Sequence, residues 1–557
     1  MNEPRRLMRV ISFLLLLGLL TPASLQAEPL GRQVSASVAS RLSGVDSNPI
    51  LTLGRERIVL SNELLRFYED QQYEPVWISD RGEREQARTF LETLRSASRK
   101  GLCPEDYRVG FIEELLQLSA EARRYKLLLQ VRHFADLEML LTDAFLRYTN
   151  HVTTGRIDPD AMIKGWHTQP RRIDAVRLLR YAVATDQMEE FLRKIEPQHR
   201  GFDALKENLW RLRRISAHGG WPRLPQGRSL RRGDSGERVQ RLNRRLRVGG
   251  DLSLDAGETF TAMTRAGVIR FQHRHGLAAN GVVGSRTLAA LNVPVEDRIR
   301  QIELNMERWR WMPETLGSRH LQVNIAEFRL RAVEAGKAVL DMPVIVGKVQ
   351  RQTPVFSDKM SYLEFAPYWK VPPTVLREDL LPRVKSDPSY LDAGHYEMVG
   401  WQGDPLEQEV LEDIGWDELE LDHFPGLLRQ KPGPWNPLGR IKFMFPNPFA
   451  IYMHDTPARE LFDNRVRLHS SGCLRVKRPL DLAVWLLTDQ EEWDYEKIRK
   501  AMQSEEPLRV ELDEGVPVHI LYWTAWVDEQ GKLNFRPDYY LRDASLEAEL
   551  RRTRGGH

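Results

Sequence analysis

Ile451-Tyr452-Met453-His454-Asp455-Thr456-Pro457 and Ser470-Ser471-Gly472-Cys473-Leu474-Arg475-Val476 are the two stretches on which the reading of this chain turns. The apolar run Phe449 to Met453 reads as a strand that delivers His454. His454 and Cys473 lie 19 positions apart. A free thiol has a pKa of about 8.5, so little of it is thiolate near neutrality, and a histidine within reach can take its proton and return it later. Gly472 lets the backbone turn tightly, which can aim amide N–H groups at a tetrahedral oxyanion. Arg475, two residues beyond Cys473 and so on the same face of an extended segment, can hold a carboxylate in a bidentate pair. Spacing alone leaves the plainer reading open, in which the cysteine and the histidine are packed structural residues. His469 is a rival base by proximity, although Arg465 and Arg467 beside it suggest a surface strand. Two cysteines and no paired-histidine spacing argue against a zinc site.

Composition bounds the rest. The chain has 557 residues, which at roughly 150 per domain suggests three or four domains. Apolar residues make up 41% and charged residues 29%, a soluble globular profile. With 81 basic against 78 acidic side chains, nothing calls for nucleic acid or an anionic membrane as a partner. The N-terminus differs: Arg5, Arg6 and Arg9, then the apolar run Val10 to Leu20, then the small polar stretch Thr21 to Ala27. That is export-signal anatomy over residues 1–27, too short to span a bilayer comfortably, with cleavage expected after Ala27 and an uncleaved anchor as the alternative. The mature chain is expected outside the cytoplasm, in the periplasm, with no spanning segment. The only other cysteine, Cys103, follows a helix with no nearby histidine and reads as a packed residue.

Along the chain, residues 28–60 read as a polar, poorly packed lead-in. Residues 61–215 are helical, with Leu127, Val131, Phe134, Leu137 and Leu141 forming one stripe. Residues 229–293 read as three short helices, the first capped by Asp234 or Ser235, with a turn at Asn280-Gly281. From Leu321 the period becomes that of strands: Leu321, Val323 and Ile325 alternate, and Val339–Val346, Tyr362–Phe365, Lys442–Phe445 and Val518–Trp526 come after them. A Pro- and Trp-rich stretch at about 372–437 reads as a lid or binding loop. Residues 531–557 read as a short charged helix and a loose tail.

The His454 to Cys473 stretch resembles the L,D-transpeptidase (YkuD-like) catalytic domain, in the large Gram-negative branch that reads His-Asp-Thr-Pro and Ser-Ser-Gly-Cys. Ser471 stands where many members have histidine, and Asp455 where many have glycine. Arg351-Gln352-Thr353-Pro354-Val355-Phe356 is similar to a further segment of that family. Residues 229–293 resemble a peptidoglycan-binding module through Phe271-Gln272 and Asn280-Gly281-Val282-Val283-Gly284, and residues 61–215 the helical scaffold of the same enzymes. The resemblance implies a multidomain α+β fold: a helical scaffold domain, a small three-helix module, and a β-rich catalytic domain at 315–530 with an inserted lid.

It also implies a reaction. Cys473 is the nucleophile on a tetrapeptide stem of peptidoglycan, His454 the general base, and the Gly472 and Cys473 amides the oxyanion donors. Arg475 orients the donor or its carboxylate, with Tyr452 and Ser471 lining the substrate site. The product is a 3–3 cross-link. Alternatives are a thiol-dependent L,D-carboxypeptidase or endopeptidase, and a non-catalytic wall-binding scaffold. Peptidoglycan stem peptides are the expected partner, no metal or organic cofactor is implied, and no protein partner is legible.

Overall fold

Leu321 and Val323 alternate with polar neighbours, and a two-residue period can bury only one face of a strand. They open strand β1 (Arg319–Asn324), and both are fully buried. The further strands are β2 (Arg329–Glu334), β3 (Lys337–Gly347), β4 (Phe356–Phe365), β5 (Ile441–Met444), β6 (Met453–His454), β7 (Leu468–Ser470), β8 (Leu474–Val476) and β9 (Leu508–Leu521). They form one mixed sheet in the order β7-β3-β8-β6-β5-β4-β9-β1-β2. Because β2 also pairs with β3, the sheet closes on itself around a single apolar core. The computed structural model describes residues 28–555 apart from 44–49, 126–129, 169–170, 172, 186, 255, 388, 405 and 407–425. The segment 1–27, read as an export signal, lies outside the described residues. Among the described residues no helix is long and apolar enough to cross a membrane.

The helical region is built around the helix Val131–Thr153. The expected single stripe, whose Leu127 lies outside the described residues, understates it, because every residue from Ala135 to Leu146 is buried. Its buried Glu138 is matched by amide donors: the carboxylate accepts from Val76, Trp77 and Ile78 at 2.9, 2.9 and 3.2 Å. Burial nonetheless pushes that carboxyl up to about 7. The lead-in reading of residues 28–60 is corrected. Leu30–Leu42 is a helix whose Val34, Val38 and Leu42 enter the same core, because they recur on one face of a 3.6-residue period.

The small module has its three helices, Glu237–Gly249, Ala262–Arg274 and Ser285–Leu291. The expected cap at its start is corrected: Gly236 occupies the cap position, and the Asp234 carboxylate instead accepts the Arg231 amide at 2.9 Å.

The fold class expected from the resemblance is the one observed: helical N-terminal region, small module and large β-sheet domain. Between β4 and β5 the lid carries its own three-stranded sheet, Tyr396–Val399, Leu427–Gln430 and Trp369–Lys370 in that order. It also has its own small core, including Val375, Leu376, Leu380 and Leu428, separate from that of the closed sheet.

The short charged helix read in 531–557 is present, and the loose-tail reading is corrected. Leu533–Phe535 pairs with Ala525–Val527, and the helix Arg542–Gly555 buries Leu546 and Leu550 in the core of the catalytic sheet. A charged helix with two leucines four residues apart presents one apolar line, and that line is what docks.

Candidate active site

Strands β6 and β8 pair in parallel, with Met453 opposite Leu474 and His454 opposite Arg475. The two-residue period of a strand then sorts the side chains by face. Met453 and Leu474 point into the core, fully buried, each worth about 1.5–3 kcal/mol. Tyr452, His454, Cys473 and Arg475 therefore share the other face, and all four line one cavity of about 1140 Å³. Lys442 of β5, opposite His454, and Glu364 of β4 extend the same wall. The lid faces it with Trp369, Val375 and Asp379.

The run Phe449 to Ile451, expected as strand, is a turn. Asn447 takes over its backbone: Oδ1 accepts the amides of Phe449 and Ile451, each at 3.1 Å, and Nδ2 donates to the carbonyls of Phe445 and Ile451. Ala450 adopts a positive φ of 54° and offers its carbonyl to the Cys473 thiol, with Sγ 3.7 Å away.

The loop before Cys473 is held from inside. Gly472 has φ +124°, a conformation that L side chains rarely adopt. Its carbonyl accepts from Thr353 Oγ1 at 2.6 Å, while the Ser470 hydroxyl donates to the Cys473 carbonyl at 2.6 Å. The Gly472 amide donates to Ser470 Oγ at 3.1 Å, so the oxyanion role expected of that amide is corrected: its hydrogen is already committed within the loop. Ser471 is exposed and lines the cavity. Its Oγ accepts from Arg351 Nη1 at 2.9 Å. Thr353 is a positioning residue to which the sequence assigns no role beyond its place in the Arg351–Phe356 segment.

His454 Nδ1 lies 2.5 Å from the carbonyl oxygen of Asp455. A carbonyl can only accept, so Nδ1 carries the proton and Nε2 keeps its lone pair. Burial pushes the imidazole pKa down to about 3, helped by the adjacent Arg475 guanidinium and only partly opposed by the Asp455 and Pro437 carbonyls. Burial pushes the Cys473 thiol up, against the Tyr452, Lys442 and Arg475 contacts that favour its thiolate. Near neutral pH the pair is therefore an uncharged imidazole and an uncharged thiol. In this state the thiol contacts the Ala450 carbonyl; catalytic hydrogen bonds commonly tighten only when substrate binds.

Tyr452, tilted against His454 with ring centroids 5.7 Å apart, is kept protonated by burial and by Cys473. Arg475 is largely buried and its Nε has no hydrogen-bond partner among the described residues. A guanidinium so placed is poised for an incoming anion. The rival base His469 sits exposed at the cavity rim, 3.3 Å from Asn464 Nδ2. Cys103 lies in the helical region, away from this site, with Sγ 2.7 Å from Glu105 Oε2. Among the described residues no three His, Cys, Asp or Glu side chains gather as a metal ion would need.

Three family models match the chain in order: a scaffold domain over residues 62–209, a domain described as "Putative peptidoglycan binding domain" over 235–291, and the L,D-transpeptidase catalytic domain over 318–520. A curated protein of Haemophilus influenzae named "Putative L,D-transpeptidase" is 33% identical over 247 residues, covering 44% of this chain and 49% of its own length. The chain thus spans about half the length of that relative. Among solved structures, the L,D-transpeptidase (residues 123–326) of Xylanimonas cellulosilytica is 18% identical, with 53% of this chain and 99% of that one covered and a TM-score of 0.17. That of Stackebrandtia nassauensis is 14% identical, with coverage of 54% and 96% and a TM-score of 0.21. The resemblance read from the His454 to Cys473 stretch is borne out by the family matches.

Proposed function

We propose, on the premise that residues 318–520 match an L,D-transpeptidase catalytic domain, that this chain is an exported peptidoglycan L,D-transpeptidase working in the periplasm and forming 3–3 cross-links through a thioester on Cys473. The observation that carries the reading is the β6–β8 register, which sets on one cavity wall an imidazole, a thiol and a guanidinium whose Nε has no hydrogen-bond partner among the described residues.

In this mechanism His454 Nε2 takes the thiol proton as Sγ attacks the carbonyl between the third stem residue and D-Ala. The Asp455 carbonyl holds the imidazole through Nδ1 and favours the imidazolium that forms. The Cys473 amide and the Tyr452 hydroxyl are the donors left for the oxyanion, a role worth about 100- to 1000-fold in rate per donor. Arg475 holds a carboxylate of the donor stem. The proton on His454 passes to the departing D-Ala amine, and the amine of a second stem then resolves the thioester. The small module, matched to a peptidoglycan-binding domain, keeps the enzyme on its polymer.

Purified tetrapeptide muropeptides incubated with the wild type and with Cys473→Ala test this. Dimers that vanish in the variant are expected. Trimming to tripeptide without dimers assigns the chain to hydrolysis instead, and no Cys473-dependent change removes the enzymatic reading.

A further inference from the structure

The helical region does not end at its own core. The scaffold match runs over residues 62–209, yet Ile157, Ile163 and Trp166 of that stretch lie in the apolar core of the catalytic sheet. They follow the long helix Val131–Thr153, and all three are buried. Trp166 is set edge to face against Trp311, with ring centroids 5.1 Å apart. A buried indole is a large apolar anchor, so this loop is a fixed part of the catalytic sheet and not a cover laid over it.

The same loop is tied to the catalytic domain through its backbone. The Val355 amide donates to the Gly165 carbonyl at 2.9 Å, and the His167 amide donates to the Val355 carbonyl at 2.8 Å, so Trp166 and Val355 form a parallel bridge. Val355 lies two residues beyond Thr353, whose hydroxyl holds the Gly472 carbonyl. The Thr168 amide donates to Asp160 Oδ1 at 2.9 Å, which fixes the residue after His167.

That fixed backbone places the His167 ring. The imidazole is half-buried and stacks on the Phe449 ring, with centroids 4.2 Å apart and planes 25° off parallel. Phe449 also meets Phe356, at 5.0 Å, and it lines the catalytic cavity, which His167 does not. The next residue, Ala450, holds a positive φ of 54° and offers its carbonyl to the Cys473 thiol. A non-glycine residue in that conformation persists only where its surroundings hold it there. Asn447 supplies the hydrogen bonds of the turn, and the His167 ring pins its aromatic side chain.

We propose that His167, carried on the scaffold-matched stretch, is a positioning residue for the Cys473 reaction. By stacking on Phe449 it holds the turn from Asn447 to Ile451, and with it the Ala450 carbonyl, against the nucleophile. The helical scaffold is thereby part of the catalytic unit. This rests on the reading above that Cys473 is the acylated nucleophile, and it holds equally for transfer and for hydrolysis. His167 acts through Phe449, by shape and not by proton transfer.

The test uses the full chain and a tetrapeptide muropeptide. D-Ala release is followed at a temperature at which circular dichroism shows every variant folded. His167→Ala should lower kcat about 10-fold and leave KM within about twofold, because the cavity wall is kept and only the placement of the sulfur is lost. His167→Phe keeps a flat ring on Phe449 and should restore kcat to within about twofold of the wild type. Phe449→Leu removes the ring on which His167 stacks while keeping an apolar wall. In that background His167→Ala should change kcat by less than about twofold, because the link is already cut. Wild-type kcat in His167→Ala overturns the proposal, and so does a change confined to KM. A loss that His167→Phe fails to restore overturns it by pointing to the imidazole's own chemistry. Losses that multiply in the double variant overturn it too, because His167 then does not act through Phe449. The Cys473 reading is judged separately, on the wild type and Cys473→Ala. D-Ala release that survives in Cys473→Ala sinks that reading whatever the His167 variants do.

Discussion

Thr353 Oγ1 donates a 2.6 Å hydrogen bond to the carbonyl of Gly472, the residue before the candidate nucleophile. The same oxygen accepts the Gly347 amide at 2.9 Å, so one fully buried hydroxyl joins the end of β3 to the nucleophile loop. Thr353→Val keeps the shape and strands both backbone groups, at about 1–3 kcal/mol each. The melting temperature should fall, and Cys473-dependent D-Ala release should fall about 10- to 100-fold, because a small displacement of the sulfur is costly. Thr353→Ser should recover most of both. A valine variant with wild-type D-Ala release would show that the loop holds its shape without this bond.

The charge state of the pair gives a second prediction. With the thiol raised above its ordinary value and the imidazole lowered to about 3, neither is charged at pH 7 in the free enzyme. Alkylation of Cys473 by iodoacetamide should therefore rise about tenfold per pH unit from pH 6 towards pH 9. A plateau near neutrality would instead reveal a standing thiolate–imidazolium pair. The same imidazole links to stability. Folded His454 stays neutral while the unfolded chain binds a proton below about 6.5, so the stability it contributes is present above that pH. It is lost as pH falls towards 3, on the order of a few kcal/mol at the end of that window. Denaturant melts of the wild type and His454→Gln should converge as pH falls through it.

The sequence and the structure part company at identifiable physical points. The alternation that puts Cys473 and Arg475 on one face was legible within its own segment, because a strand's period is local. The register joining the two segments was not, because it depends on hydrogen bonds between residues some twenty positions apart. Phe449 to Ile451 is apolar enough to pass for strand, and only the Asn447 side chain, which captures its backbone, makes it a turn. The commitment of the Gly472 amide to Ser470 Oγ was likewise hidden, since a glycine's freedom shows that a turn forms but not where its N–H points. Thr353 and Tyr540 were invisible as a pair because they meet across nearly the whole catalytic domain.

Gly472 itself is a sharp test of the loop. At φ +124° an alanine is strained by about 1–3 kcal/mol. Its Cβ would also stand 3.3 Å from Ile451 Cδ1, a side-chain end that can yield, so backbone strain is the larger cost. Gly472→Ala should lower D-Ala release about 100-fold with a modest drop in melting temperature. Full activity in that variant would mean that the loop can present Cys473 from another conformation.

The C-terminal helix lies outside the residues matched to the catalytic domain, yet it reaches the site. Arg542 Nη2 donates to the Thr353 carbonyl at 3.0 Å, and Tyr540 Oη donates to the Gly347 carbonyl and accepts the Thr353 amide at 3.4 Å. Leu546 and Leu550, both buried, anchor the helix at about 1.5–3 kcal/mol each. A chain ending at residue 541 should therefore melt at a clearly lower temperature and lose D-Ala release even where its far-ultraviolet circular dichroism is retained. Because truncation could unfold the domain outright, Arg542→Met in the full chain isolates the link. It keeps the helix and its leucines and removes two hydrogen bonds, to the Thr353 carbonyl and to Gln352 Oε1, so D-Ala release should fall about 3- to 10-fold. If Arg542→Met and the truncated chain both retained wild-type D-Ala release, the helix would be a passive cover on the core, and Thr353 would be held by its own hydroxyl and by Tyr540.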